Sequence, residues 1–417
     1  MKVYGAYDEY IIVDQNTEIK IVYSGYSNKV LALNTIAFLL FEDIINEAKM
    51  NDGMIDKVFE QYDEDDVRQF LEVLENNKML FRSVNEMEQA DFLVEYLKIK
   101  KINPHKAYLH LTQRCNLKCK YCYNAKNLGK TEDMTTEQWM RILDRLKDKG
   151  FNFIVFTGGE VFLRKDILEL TKYVKKLNMR LHILTNGTVK IEKDLIEVAD
   201  IIEISLDAVD HEINAKGRIN SDKFDILENI LSIPTELRNK IVIKTVLSKN
   251  NRNSIIETRE KIREEGFREN QIILQQPNSP DEADVYPEQV VPREPHAFDA
   301  GRITKCNACY EVIGINSDGK IYPCQALIKQ NLFLANIFDD DWLKSIEESK
   351  ITEVFYNDDV NQSECGLCKY RYICGGPCKA VSFNVTGSLL EGREGYCDYA
   401  KKECLEYLRS IDFGENE

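Results

Sequence analysis

The stretch Cys115-Asn116-Leu117-Lys118-Cys119-Lys120-Tyr121-Cys122 places three cysteines within eight residues. Thiolates are the usual protein ligands of iron–sulfur clusters, and three of them can hold three irons of a 4Fe-4S cube. The next cysteine along the chain is Cys306, so one iron would lack a protein thiolate. An open coordination position is where a metal site does chemistry. A zinc knuckle is the alternative, with His110 as its nearby fourth ligand.

The CxxxCxxC spacing, with Tyr121 directly before the last cysteine, resembles the signature of radical S-adenosylmethionine (SAM) enzymes. The resemblance implies that Cys115, Cys119 and Cys122 hold a 4Fe-4S cluster, and that Tyr121 lies against the adenine of SAM. In that family the methionine part of SAM chelates the open iron. An electron from the cluster cleaves SAM, and the 5′-deoxyadenosyl radical then abstracts a hydrogen atom from the substrate.

The composition is that of an ordinary globular protein of 417 residues, with 43% apolar and 30% charged residues. This length is sufficient for two or three domains. The net charge of −15 argues against binding to nucleic acid or an anionic membrane. We find neither a signal peptide nor a transmembrane run, so we expect a cytoplasmic protein with no membrane partner. Twelve cysteines in such a chain indicate metal or redox chemistry.

The first hundred residues predict short strands followed by helices. The predicted order is strands at 10–13 and 19–23, helices at 33–48, 54–62 and 65–76, and a closing strand at 78–81. Asn34 and Thr35 are suited to cap the first helix. In the first helix the apolar positions Ile36, Leu39, Leu40 and Ile44 recur at helical spacing. In the third helix we expect Val67, Phe70, Leu71, Val73 and Leu74 to face inward.

Strands, three helices and a β-wing resemble the small peptide-recognition domain (RRE) fused to maturases of ribosomally made peptides. The resemblance implies a winged-helix-like α+β domain over residues 1–85 that captures a leader peptide as an added strand. A generic winged-helix module is the alternative, and its acidic helices argue against DNA binding. Residues 86–104 predict a helical linker to the next domain.

From Ala107 onward, predicted strands alternate with helices. The strands are expected at 107–112, 152–157, 180–185, 201–206, 240–247 and 271–276, and the helices at 136–149, 166–178, 190–198, 222–232 and 253–265. Six such units over residues 105–290 predict an α/β fold, a partial (β/α)6 TIM barrel. Sites in such folds lie at the carboxyl ends of the strands, and the cysteine loop follows the first strand.

The loop after the second strand carries Gly158, Gly159 and Glu160. Glycine lacks Cβ and lets the backbone approach a ligand, and a carboxylate accepts charge-assisted hydrogen bonds from an ammonium group. In the radical SAM family a Gly-Gly-Glu motif holds the methionine amino group. That family often has Pro after the Glu, whereas this chain has Val161. The stretch Gln275-Gln276-Pro277 ends the sixth strand and is a further candidate contact.

The third and fourth strands are followed by further polar side chains. Asn186 follows the third strand, and Ser205 and Asp207 end the fourth. The resemblance implies that Ser205 binds the methionine carboxylate or ribose region and that Asp207 is a nearby polar contact. It also implies an Arg that pairs with the carboxylate. We expect Arg218 in that role, with Lys216 as the alternative.

The C-terminal third is rich in cysteine. The residues are Cys306, Cys309, Cys324, Cys365, Cys368, Cys374, Cys378, Cys397 and Cys404. Over residues 306–397 their pattern resembles the SPASM domain of radical enzymes that modify peptides and proteins. We place this domain at residues 291–417, with a hairpin around the Asp318-Gly319 turn.

The resemblance implies two auxiliary 4Fe-4S clusters with interleaved ligands. The first would take Cys306, Cys309, Cys324 and Cys378, and the second Cys365, Cys368, Cys374 and Cys397. Paired zinc sites are the alternative, because CxxC steps also suit zinc. We expect Cys404, on the C-terminal helix, to be a buried apolar residue rather than a ligand.

The leading hypothesis is a maturase that uses SAM and three 4Fe-4S clusters to crosslink a precursor peptide bearing a leader. The crosslink could be a thioether, a carbon–carbon or a carbon–oxygen bond, and the resemblance implies an electron donor such as flavodoxin or ferredoxin. The alternatives are an anaerobic sulfatase maturase that forms formylglycine and a non-enzymatic iron–sulfur electron carrier or zinc scaffold.

Overall fold

The computed structural model describes residues 4, 10–16, 18–27, 29–50, 54–83, 103–130, 132–248, 250–275, 306–357, 364–390, 396–409 and 411. The predictions for residues 86–102 of the linker, for Gln276 and for Pro277 lie outside the described residues. None of the helices within these ranges is long and apolar enough to span a membrane.

The N-terminal unit is a three-stranded antiparallel sheet followed by three helices. Its elements are β1 (Tyr10–Asp14), β2 (Ile19–Ser24), β3 (Lys29–Asn34), α1 (Thr35–Met50), α2 (Asp56–Gln61) and α3 (Glu64–Asn76). Asn34 caps α1 as predicted, since its Oδ1 accepts a hydrogen bond from Ala37 N at 2.9 Å. Asp63 caps α3 in the same way.

Two predictions for this unit are wrong. Val73 faces solvent, with an exposed fraction of 37%, because α3 packs on one side only and Val73 lies on the opposite side. Ile36 and Leu39 of α1 are also exposed, at 73% and 50%. Residues 78–81 form a turn with a single bridge residue in place of a strand. Lys78 has a φ of 52°, which ends α3 as a left-handed cap does.

The central unit alternates strands and helices as predicted. In chain order its elements are β4 (Lys106–Thr112), β5 (Lys118–Cys119), α4 (Thr136–Asp148), β6 (Phe153–Gly158), α5 (Ile167–Lys176), β7 (Arg180–Thr185), α6 (Lys193–Val198), β8 (Ile201–Ser205), α7 (His211–Gly217), β9 (Arg218–Ile219), α8 (Ile226–Leu231), β10 (Ile241–Val246), α9 (Ile255–Glu264) and β11 (Ile272–Gln275). The sequence did not predict α7 or the short ribbon β5–β9.

Six parallel strands lie side by side in the order β11-β10-β8-β7-β6-β4. Alternate residues point to opposite faces of a strand. One set, including Leu109, Phe156 and Ile204, joins the apolar core under the helices. We call the opposite face, which bears Tyr108, Glu203 and their neighbours, the inner face. This confirms the predicted α/β fold and brings the loops after the strands to one edge.

The C-terminal region extends this sheet. Its elements are β12 (Val312–Ile315), β13 (Lys320–Tyr322), β14 (Ala335–Asn336), α10 (Trp342–Glu347), α11 (Lys350–Asn357), α12 (Arg371–Cys374), α13 (Lys379–Thr386) and α14 (Tyr396–Arg409). Strand β12 pairs with β4 in parallel and with β13 in the predicted hairpin. The core under the helices therefore continues from the barrel to Trp342.

The N-terminal sheet has two covered faces. One packs on α1 through residues such as Val22 and Leu33. The other, with Ile11 and Tyr23, packs on Leu408 of α14. The N-terminal unit therefore lies against the C-terminal region.

Candidate active site

The Gly-Gly-Glu loop lies directly against the start of the cysteine loop. Gly159 N donates to Thr112 O at 2.7 Å, and Glu160 N donates to Arg114 O at 2.8 Å. A Cβ atom would lie 2.3 Å from Thr112 O at Gly158 and 2.0 Å from Arg114 O at Gly159. The sequence analysis assigns these glycines to close approach of a ligand. In the structure, the two glycines instead allow two backbone segments of the chain to lie in contact.

Glu160 joins the ends of β6 and β7. Its buried carboxylate accepts hydrogen bonds from Thr185 Oγ1 at 2.7 Å, Asn186 N at 2.7 Å and Phe162 N at 3.0 Å. Burial raises the pKa of Glu160, and these three hydrogen bonds oppose that effect. The carboxylate is thus held in one orientation at the mouth of the barrel.

Asn186 connects this carboxylate to the cysteine loop. Its Nδ2 donates to Asn116 Oδ1 at 2.9 Å and lies 3.9 Å from Cys115 Sγ. Thr188 completes the arrangement, since its hydroxyl donates to Asn186 Oδ1 at 2.7 Å and accepts from Asn116 Nδ2 at 2.8 Å. The sequence analysis missed Thr188, which lies just beyond the predicted Asn186.

A buried pair, Asp207 and Arg218, lies on the other side of the cysteine loop. Arg218 Nη2 donates to Asp207 Oδ1 at 3.1 Å, and the Tyr121 hydroxyl donates to Asp207 Oδ2. The Arg218 guanidinium also lies 5.5 Å from the centre of the Tyr121 ring. Ribbon β5–β9 fixes this geometry by pairing Cys119 with Arg218. Lys216 is exposed, so of the two alternatives the structure brings Arg218 to the site.

Arg218 and the loop cysteines fit an anionic ligand. The buried Nε of Arg218 has no hydrogen-bond partner within the described residues, so the guanidinium can bind a further acceptor. The pKa of Cys119 rises to about 12 through burial, opposed by Arg218 and reinforced by the charges of Cys122 and Cys115 among others. The three thiols therefore lie close together beside a buried cation, which suits a cluster and the carboxylate of an amino acid.

The C-terminal cysteines come together in two sets. Burial, and then the charges of Cys306 and Cys378, raise the pKa of Cys324 well above its ordinary value. The pKa of Cys309 rises to about 12 through burial and the charge of Cys306, while Thr352 opposes the rise. These neighbours make up the first set that the resemblance implies.

Cys397 belongs to the second set. Burial raises its pKa, and the charges of Cys365, Cys374 and Cys368 raise it further. Among the described residues, no group of three or more His, Cys, Asp or Glu side chains is arranged to hold a single metal ion. Cys404 is buried on α14.

The remaining predicted contacts lie at strand ends. Ser205 is half-buried at the end of β8 on the inner face, and Gln275 is the last residue of β11. Neither side chain has a described hydrogen bond to the groups above.

An amide network that the sequence analysis missed closes the base of the cysteine loop. Asn124 Nδ2 donates to Gln113 Oε1 at 2.8 Å, and Gln113 Nε2 donates to Asn316 Oδ1 after β12. All three side chains are buried. Gln113 precedes Cys115 by two residues, and Asn124 follows Cys122 by two. The network therefore holds both ends of the loop against the C-terminal region.

Replacing Gln113 by Ala should lower the free energy of unfolding by about 2 kcal/mol, because two buried amides lose their partner. Urea unfolding followed by tryptophan fluorescence measures this. Gln61→Ala, at an exposed position on α2, is the control and should change little. A Gln113→Ala protein as stable as the parent would show that the network contributes nothing.

The comparisons with known proteins agree with this geometry. Residues 109–282 match the Radical SAM superfamily. The subtilosin biosynthesis protein AlbA of Bacillus subtilis is 26% identical over 335 residues, which cover 73% of this chain and 72% of AlbA.

Two solved structures share the fold. SuiB of Streptococcus suis, bound to its precursor peptide SuiA, aligns with 95% of this chain and 100% of its own, with a TM-score of 0.57 and 18% identity. Native anSMEcpe with bound AdoMet aligns with 73% of this chain and 96% of its own, with a TM-score of 0.53 and 19% identity. The sequence match over residues 109–282, the cysteine loop and the shared fold lead to one conclusion: residues 109–282 of this chain are a radical SAM domain, and the chain is an enzyme.

Proposed function

We propose that this chain is a maturase that installs a crosslink in a ribosomally made precursor peptide. The observation that carries the proposal is the combination of an N-terminal sheet and three helices with a barrel whose mouth bears the cysteine loop. The full-length alignment with a peptide-bound structure supports it. The crosslink would be a thioether, a carbon–carbon or a carbon–oxygen bond.

Five side-chain and backbone groups would hold SAM. Glu160 and the backbone of Gly158 and Gly159 would bind its amino group, and Arg218 its carboxylate through the unpaired Nε. Tyr121 would lie against the adenine. When bound, SAM and the cluster at Cys115, Cys119 and Cys122 supply the abstraction of a hydrogen atom from carbon.

Other residues orient this site. Asn186 and Thr188 fix the first turn of the cysteine loop, and Asp207 holds both Tyr121 and Arg218. Ser205 lies on the inner face, where a bound ribose or carboxylate would be in reach of its hydroxyl. This arrangement leaves the inner face of the barrel for the substrate.

We propose that the two C-terminal cysteine sets hold auxiliary 4Fe-4S clusters, which makes three clusters in total. Their role would be to accept or relay the electron that remains after bond formation. Flavodoxin or ferredoxin would serve as the external electron donor. A chain with these oxygen-sensitive sites would work in the cytoplasm, with domains at residues 1–85, 105–290 and 291–417 joined by the linker 86–104.

Cys306 decides whether the first auxiliary site is closed. It lies near Cys324 and Cys309, whose pKa values its charge raises, so we expect it to be the fourth ligand. Four protein thiolates would leave no position for a substrate sulfur, and the site would serve electron transfer.

The Cys306→Ala protein should therefore keep two clusters unchanged and show a third that binds added thiol. Electron paramagnetic resonance of the reconstituted protein, with and without 2-mercaptoethanol, measures this. Spectra identical to those of the parent under both conditions would mean that Cys306 is not a ligand.

Strand β3 is the proposed docking edge for the leader peptide. The other edge strand, β1, is partly covered, since Lys369 Nζ donates to Tyr10 O at 3.1 Å. Among the described residues, only β2 pairs with β3. An added strand would use the outer backbone groups of β3.

Proline at Val30 or at Leu31 tests this edge. Neighbouring N–H groups of a strand point to opposite sides, so one proline removes a donor to β2 and the other a donor to the open edge. The proline that removes an N–H group facing the open edge leaves the pairing with β2 intact, so this variant should stay folded. Its affinity for the precursor peptide should fall at least about tenfold. The controls are Val30→Ala and Leu31→Ala. Unchanged affinity in the folded proline variant would exclude β3 as the docking strand.

The proposed function itself is tested with a candidate precursor peptide encoded beside the gene. Anaerobic enzyme, dithionite, SAM and peptide should yield 5′-deoxyadenosine and a peptide lighter by two hydrogens per crosslink. The second candidate function is formylglycine formation in a sulfatase, favoured by the likeness to anSMEcpe. The alignment with anSMEcpe covers 73% of this chain, whereas the alignment with SuiB covers 95%. We therefore expect this enzyme to leave a sulfatase peptide unmodified.

A further inference from the structure

Three titratable side chains that have no role in the proposed SAM site lie together on the inner face of the sheet. They are His182 of β7, Glu203 of β8 and Lys244 of β10, on three adjacent strands. Lys244 Nζ lies 2.9 Å from Glu203 Oε1, and His182 Nε2 lies 3.7 Å from Glu203 Oε2. We call these residues the inner-face trio.

Strand alternation directs the trio away from the helices. Ile202 and Ile204, on either side of Glu203, belong to the core under the helices, as does Ile243 beside Lys244. Neighbours on a strand point to opposite faces. The trio therefore faces the interior of the barrel, and its side chains are only 9–24% exposed.

The trio lies below the proposed SAM site. Ser205 is two residues beyond Glu203 on β8 and is the register partner of Lys244. Two residues of a strand span about 6.6 Å. Tyr108 connects this region to the first auxiliary set, because burial and the charges of Cys324 and Glu203 raise its pKa. A substrate segment placed between the two cysteine sites would therefore meet the trio.

The charges around the trio favour an anionic group. Burial lowers the pKa of His182 to about 4, so this imidazole is neutral at pH 7. The charges of Lys106, Lys244 and Arg180 lower this pKa further and that of Glu203 opposes them, so three cations and one carboxylate act on this imidazole. This local excess contrasts with the net charge of −15 for the whole chain.

An ion pair inside the barrel is not explained by stability. Replacing a buried ion pair by apolar residues of similar volume is often neutral or stabilising. A group whose pKa is strongly shifted inside a fold is a candidate for a functional site, and His182 of the trio is such a group. Lys244 has three N–H donors, and its described contact with Glu203 needs only one of them.

We propose that the inner-face trio binds a side-chain carboxylate, Asp or Glu, of the substrate peptide. Lys244 contacts the carboxylate with an N–H donor that its contact with Glu203 leaves available, and His182 lies on the other side of Glu203. This rests on the proposed function, because it takes a peptide as the substrate. It adds the requirement that the substrate residue in the barrel interior, or one beside it, carries a carboxylate.

The test uses two capped pentapeptides, acetyl-Gly-Gly-Glu-Gly-Gly-amide and its Gln counterpart. Their binding to the reconstituted full-length enzyme with SAM is measured anaerobically by ligand-observed NMR. We expect the Glu peptide to bind about tenfold more tightly, since a charge-assisted hydrogen bond replaces a neutral one. Lys244→Met should remove this preference. Lys193→Met, on the exposed surface of α6, should keep it.

A Glu203→Gln variant should raise the affinity for the Glu peptide, whereas Lys244→Met should lower it. Glu203→Gln removes the carboxylate that competes for Lys244, so the Glu peptide should bind more tightly than to the parent. Equal binding of both peptides, failure of both to bind, weaker binding to Glu203→Gln, or a preference retained in Lys244→Met would each overturn the proposal.

The failure of this proposal is distinguishable from that of the proposed function. Dithionite-driven formation of 5′-deoxyadenosine without peptide tests the SAM site and should be unchanged in Lys244→Met. If the parent cleaves SAM but shows no preference for the Glu peptide, the trio is not a carboxylate site and the proposed function stands. If the parent fails to cleave SAM, the proposed function fails, and the binding experiment still decides the trio.

Discussion

The protein in which Cys115, Cys119 and Cys122 are all replaced by Ala should bind about four fewer irons than the parent, because these thiolates would hold one cube. It should form no detectable 5′-deoxyadenosine from SAM and dithionite. The physical reason is that Glu160 and Arg218, the other groups proposed to hold SAM at the mouth, have no electron to transfer to it. Iron analysis and chromatography of the reaction products measure both effects.

The auxiliary sites provide an internal check on this triple variant. They are built from other elements, around β12 and α12 to α14, so their spectra should persist. Cys404→Ala is the matched control, because Cys404 is buried on α14 and we assign it no ligand role. It should keep the full iron content and full cleavage. Cleavage of SAM by the triple variant would contradict the assignment of the cysteine loop.

The cysteine loop and the Gly-Gly-Glu loop could be recognised in the sequence because each is a local pattern of residue type and spacing. Cys115, Cys119 and Cys122 lie in one short loop that can be read from the sequence alone, whereas the auxiliary sets are spread along the chain and are grouped by the resemblance. The strands were predictable for a similar reason, since buried strands such as Phe153–Gly158 are runs of apolar residues. The structure adds where these segments meet.

The residues that the sequence analysis missed act through tertiary contacts. Gln113 and Asn316 are 203 residues apart, and no local pattern marks them as partners. Thr188 is noticeable only when Asn116 and Asn186 are seen on either side of it. The inner-face trio is similar, since Glu203 and Lys244 meet only because β8 and β10 are adjacent in the sheet.

Helix faces were predicted less well than strands. Ile36 and Leu39 have helical spacing with Leu40 and Ile44, but α1 buries a stripe that includes Phe38 and Phe41 instead. Periodicity identifies a helix, whereas the packed side depends on which neighbour covers it. The apolar run at 79–81 is buried in the turn that ends α3, so burial in a turn rather than in a strand explains its composition.

Gly159→Ala should lower the rate of SAM cleavage by about 100-fold, since a displacement of about 1 Å in a positioning group costs that much. The added Cβ would lie 2.0 Å from Arg114 O and 2.6 Å from Arg114 C. Both are backbone atoms, so no side-chain rotation can relieve the overlap. The Gly-Gly-Glu loop and the cysteine loop must separate, which breaks the hydrogen bond from Glu160 N to Arg114 O at 2.8 Å.

This separation moves the Glu160 carboxylate relative to the three thiols, so both the affinity for SAM and the cleavage rate should fall. Equilibrium dialysis with labelled SAM and the initial rate of 5′-deoxyadenosine formation measure the two effects separately. Gly266→Ala is the matched control, because Gly266 has a φ of 92° but nothing within 4 Å of an added Cβ. It should cost about 1 kcal/mol of stability through backbone strain and leave cleavage unchanged. If Gly159→Ala cleaves SAM as fast as Gly266→Ala, the contact between the two loops does not position the site.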